Sequence, residues 1–173
     1  NKCGLHYNLV ADAVYSARSR GDLFGDGFLP YLVAGLIAFD MGRMMGKGAE
    51  GKYDSDKSGF ANRLLAKLIK IRPLLSDLSN VSISQVDLRS QRCRIIQAYC
   101  ELALAGKYGL NQKDTRHDFH VGATKILHFI NPELFPIVDQ NTAKAFKSCH
   151  GIAYKNTTQP GYSAENYYQC LKA

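Results

Sequence analysis

The run His120–Phe146, HVGATKILHFINPELFPIVDQNTAKAF, decides the fold. Apolar residues recur at helical spacing from Val121, the pattern stops near Asn131-Pro132, and a second helical pattern starts after Asp139. Pro136 enforces extended backbone ahead of itself, so the segment delivers one acidic side chain, Asp139, to the positive end of the second helix. Asp is among the best N-cap residues, and a cap worth roughly 1 kcal/mol is by itself a sufficient reason for an aspartate there.

Helices flank this run on both sides. Leu5, Leu9, Val10, Ala13 and Val14 keep a helical period that ends near Arg18 and Arg20, before GDLFGDG. The stretch Leu29–Met45 carries Pro30 in a first turn and apolar residues almost all round, which predicts a central, buried helix followed by a basic loop. From Ser58, one stripe holds Phe60, Leu64, Leu65, Leu68 and Ile69 and the other holds Arg63, Lys67 and Lys70, until Pro73 interferes. Leu88–Ala105 repeats the pattern through Ile95, Ile96, Tyr99, Leu102 and Leu104, with Gly106 as its C-cap. The last segment, YSAENYYQCLKA, reads as a helix capped by Ser163. The best strand candidate, NVSISQV, is too short to alter the class, which is all-α.

The chain of 173 residues suits a single domain over 1–173, and its last helical pattern breaks off in mid-course, which predicts a further C-terminal portion. Twenty-two Lys and Arg against 15 Asp and Glu give a net charge of +7, which favours a polyanionic partner through counterion release. The longest apolar run, GFLPYLVAGLIAFDMG, is interrupted by Pro30 and Asp40 and is too short to span a bilayer. The start lacks the basic-then-apolar layout of a signal peptide, so a cytoplasmic location is expected. The 5 cysteines include no C-x-x-C pair, which argues against a disulfide framework or a zinc site. Cys93 and Cys100, on one face of a helix, are expected as buried thiols.

The pair VGATKILHF and FPIVDQNTAKAF resembles the core of the helix-hairpin-helix superfamily of DNA glycosylases, in particular members with the 8-oxoguanine glycosylase fold. The resemblance implies a compact multi-helix domain that flips a base out of double-stranded DNA and cuts its N-glycosidic bond. It assigns Gly122 to the hairpin glycine that meets the DNA backbone, Lys125 to the family's lysine and Asp139 to its catalytic aspartate. The compact L-P-G-V-G hairpin is absent, Gly122 stands one residue further from Lys125 than in the family pattern, and the Lys125–Asp139 segment is about one helical turn shorter. Breaking an N-glycosidic bond passes through an oxocarbenium-like sugar cation, which a carboxylate below the anomeric carbon stabilises while orienting water. A neutral lysine amine there can instead form a Schiff base with the opened sugar and add strand cleavage. The resemblance implies no metal or organic cofactor and a monomer. An oxidised purine is the usual substrate of the fold, and a bulky modified base of invading bacteriophage DNA suits a small stand-alone member.

Other residues carry a functional and a plainer reading side by side. Arg43 and Lys47, in DMGRMMGKGAEGKYD, could hold phosphates, although this stretch lacks the nucleotide-loop pattern and reads equally as a solvated linker. Lys144 and Lys147 would face a DNA phosphate if Asp139 faces the sugar, and otherwise are ordinary surface charge. His120, His128 and Tyr162 are candidates for gripping a flipped base, against the commoner fate of core packing. For Lys125 the plainer reading is a solvated or phosphate-binding residue on the helix's outer face. Two other functions fit the same pattern: a non-catalytic nucleic-acid-binding or sequestering module, and a nucleoside or nucleotide N-glycoside hydrolase.

Overall fold

The computed structural model describes the backbone of residues 2–20, 23–38, 59–106, 119–151 and 160–173. These residues form helices α1 (Lys2–Arg20), α2 (Leu29–Ala38), α3 (Phe60–Leu75), α4 (Leu88–Ala103), α5 (His120–Ile130), α6 (Gln140–His150) and α7 (Pro160–Lys172), with a 3-10 turn at Ser76–Leu78. The described residues contain no strand, so the protein is all-α; NVSISQV is a run of turns. No described helix is long and apolar enough to cross a membrane.

The centre of the fold is α5. It packs against α1, α2 and α4, and nine of its eleven residues are buried, Gly122 and Lys125 included. The central position expected for the helix after Leu29 therefore belongs to a later one. In α2 only one face is covered: Leu32, Val33, Gly35 and Leu36 are buried, whereas Ala34, Ile37 and Ala38 are exposed. Around α5, α4 bridges α3 and α7. Lys67 and Lys70 of α3 both pair with Glu101 of α4, at 2.9 and 2.5 Å. Arg92 of α4 pairs with Glu165 of α7, and Arg94 with Asp77 in the 3-10 turn. These ion pairs are partly exposed and fix helix register more than they add stability. The stability comes from the continuous apolar core, which runs from Val14 in α1 through Leu36, Leu68, Tyr99 and Phe129 to Leu171 in α7.

Four local expectations need correction. Pro73 does not end α3, which continues to Leu75. Pro73 and Ile69, whose carbonyl loses its partner, both lie on the exposed face, where water can take over that hydrogen bond. The last turn of α4 closes at Leu104, whose amide donates back to Glu101, so Gly106 is not the cap. Helix α7 begins at Pro160, a residue suited to a first turn, which places Ser163 inside the helix. Cys93 is exposed and Cys100 half-buried: the buried stripe of α4 runs through Ile95, Ala98, Tyr99 and Leu102 instead.

Candidate active site

Helix α5 stops at Asn131, the residue before Pro132, whose extended backbone (φ −150°, ψ 98°) follows from the steric demand of the proline ring. The buried Asn131 side chain then anchors the turn. Its amide donates to the carbonyls of Leu78 and Val81, each at 2.7 Å, and its oxygen accepts from the Glu133 amide at 3.1 Å. Both N–H donors and the oxygen are thus engaged, which is what a fully buried amide requires.

From there the segment 135–138 runs without regular secondary structure between three side chains. His128 Nδ1 donates to the Phe135 carbonyl at 2.9 Å, which fixes the proton of a neutral ring on Nδ1. Tyr167 of α7 donates to the Pro136 carbonyl at 3.2 Å. Thr124 of α5 donates to the Val121 carbonyl at 2.9 Å and accepts from the Val138 amide at 3.2 Å. Two of these three anchors lie in α5, one turn apart, so the segment is fastened along the central helix immediately before Asp139.

Asp139 is the N-cap of α6, with a reciprocal capping box. Its Oδ1 accepts from the amides of Asn141 and Thr142, both at 2.9 Å, while Thr142 Oγ1 accepts from the Asp139 amide at 2.7 Å. Every hydrogen bond to the carboxylate ends on Oδ1, and Oδ2 accepts none among the described residues. Partial burial pushes the carboxyl pKa up. The Thr142 amide and hydroxyl, the Asn141 amide and the positive charge of Lys125 outweigh it, and the group is held below the usual carboxylate value. Asp139 is therefore an anion at neutral pH with one oxygen committed to the fold and the other without a hydrogen bond among the described residues.

Lys125 is only 6% exposed, on the inner side of α5 and close enough to act electrostatically on Asp139. The solvated, outer-face reading of this lysine is thereby overturned. Gly122 lies within the first turn of α5, buried, and not in a hairpin. A Cβ added there would fall 2.2–2.6 Å from ring atoms of Phe119, so this glycine makes room for an aromatic ring. His120 is 2% exposed, its ring stacked on Tyr99 and its Nδ1 3.3 Å from the Tyr99 hydroxyl; it belongs to the core. His128 is half-buried under the loop that carries Asp139, and burial pushes its pKa down while the bond to Phe135 opposes that. Lys144 and Lys147 are exposed on α6. Arg43 and Lys47 lie outside the described residues, as does the side chain of Tyr162, whose backbone belongs to α7.

The structure therefore brings Asp139, Lys125 and His128 to one locality and leaves His120 and Gly122 in the interior. Thr124, Asn131 and Tyr167 position the carboxylate and are not evident from spacing. Only Asn131, in an Asn-Pro step at a helix end, carries a local signal for such a role. No family model, no curated protein and no solved structure matches the chain.

Proposed function

We propose that the chain is a DNA glycosylase that excises a damaged or modified base, with Asp139 as the catalytic carboxylate. The observation that carries this reading is the division of labour within that side chain. Capping uses Oδ1 alone: among the described residues Oδ2 accepts no hydrogen bond, and the carboxylate feels the positive charge of the buried Lys125. The net charge of +7 and the exposed Lys144 and Lys147 on the helix that Asp139 caps supply attraction for a DNA backbone.

In this mechanism the bond from C1′ to the base weakens as positive charge builds on the sugar, and the Asp139 carboxylate stabilises that charge. The base leaves with the bonding pair. In the hydrolytic course, water adds to C1′ and gives its proton to Asp139. In the lysine course, an unprotonated Lys125 Nζ forms the new bond to C1′ and its proton passes to Asp139 or to solvent. Cleavage of the C1′–O4′ bond then leaves an imine. The lysine course rests on Lys125 lying buried within electrostatic reach of Asp139, and the hydrolytic course needs Asp139 alone.

The complete capping box favours a second reading, a nucleic-acid-binding module in which Asp139 serves the fold alone. Incubation with duplexes carrying oxidised, alkylated and bulky modified bases separates the two. Free base and alkali-labile sites support the glycosylase, and salt-sensitive binding without release from any duplex supports the module.

A further inference from the structure

A second candidate site lies away from Asp139. Arg18, Leu23, Phe24, Arg72, Pro73, Ser76, Ser79 and Asn80 line an open cleft of about 540 Å³ between the end of α1, the turn that follows it, and the end of α3. Arg18 and Arg72 come from the last turns of their helices. Arg18 is oriented from behind: its Nη2 donates to the Ser79 carbonyl and, at 3.0 Å, to Asn80 Oδ1. Both bonds leave from one nitrogen, and among the described residues Nε and Nη1 donate to nothing. Leu23 and Phe24, nearly buried, form an apolar floor, with Pro73 at the rim.

We infer that this cleft binds a phosphoryl group borne on a nucleoside, the phosphate meeting Arg18 and Arg72 and the sugar or base lying on Leu23, Phe24 and Pro73. The electrostatics favour an anion. The carbonyl ends of α1 and α3 each present roughly half a negative charge, which the two guanidinium groups exceed. No carboxylate occurs among the described lining residues. A planar fork whose donors are preset by a buried carbonyl is suited to phosphate oxygens. The inference does not depend on the glycosylase reading. Asn131 links the cleft to that site, its amide holding Leu78 and Val81 on either side of Ser79 and Asn80.

The test is calorimetric titration of the full chain with a deoxynucleoside 5′-monophosphate and with inorganic phosphate at low salt. It covers the parent, Arg72→Gln, Ser76→Glu and Asp139→Asn. Ser76→Glu places a carboxylate at an exposed position of the cleft, where it repels phosphate without removing a side-chain contact, whereas Arg18→Gln would also loosen the α1 contact. The expected result is saturable binding to the parent and to Asp139→Asn alike, weakened about tenfold or more by Arg72→Gln and by Ser76→Glu when compared at equal folded fraction. Repeating the series with a short unmodified duplex identifies the source of the phosphate. A salt slope reduced by about one in Arg72→Gln assigns it to the DNA backbone, and an unchanged slope assigns it to a free nucleotide. Absence of saturable nucleotide binding, or binding that the two cleft variants leave intact, overturns the inference.

Discussion

Thr124 Oγ1 accepts the Val138 amide at 3.2 Å, which ties the central helix to the residue before Asp139. Both residues are fully buried. Thr124→Val keeps the shape and removes the acceptor, leaving a buried N–H without a partner at a cost of about 1–3 kcal/mol. Thermal unfolding should shift down by a few degrees, and base release should fall further than the folded fraction does. Parallel losses in the two measurements would reduce Thr124 to a structural role.

Asp139→Asn should leave stability nearly unchanged, because Asn caps a helix about as well as Asp, whereas Asp139→Ala should cost about 1 kcal/mol. Chemical denaturation of the two variants and the parent checks this ordering. Equal destabilisation by both substitutions would mean that the charge beside Lys125, and not the cap, carries the stability.

Acid should act on this cap in a defined window. The folded-state pKa of Asp139 is lowered, so its contribution to stability is complete above the ordinary value of 3.8 and is lost as pH falls through the folded value. The stability difference between parent and Asp139→Ala should therefore be constant from neutral pH to about 4 and shrink below it.

His128 predicts a second pH effect, at higher pH. Its pKa is lowered chiefly by burial, so the folded state holds the ring neutral and the unfolded chain takes up the proton first. The stability from this group is complete above 6.5 and declines as pH falls through the folded value. Asn at 128 keeps a donor near the Nδ1 position without a titrating ring. Thermal midpoints from pH 7.5 to 5 should fall in the parent and fall less in His128→Asn.

Gly122→Ala should destabilise by about 1–3 kcal/mol through overpacking. The new methyl would meet the Phe119 ring, itself buried and packed edge-on against Phe60 with ring centroids 5.3 Å apart. Denaturant midpoints measure this directly, and a neutral result would show that the Phe119 ring yields.

Much of the architecture is legible as periodicity. The apolar spacing finds each described helix, and the Asn-Pro and Phe-Pro steps find the break that sets Asp139 at a helix start. Which helix is central is not legible that way. Periodicity reports how much of a helix is apolar, and α5 buries His120, Thr124 and Lys125 together with its apolar residues. The same limit hides the site. Thr124, His128 and Tyr167 reach the loop through hydrogen bonds to backbone atoms of residues 135, 136 and 138, and such bonds leave no mark on composition or spacing.

The central claim is that Asp139 does chemistry as well as capping. The most direct measurement is the rate of base release from the modified-base duplexes by the parent and by Asp139→Asn, at equal folded fraction and equal salt. The account predicts release by the parent and a loss of about a hundredfold or more in the variant, with DNA affinity retained. Equal release by both proteins, or no release by either with equal salt-sensitive binding, would contradict it and leave Asp139 a helix cap.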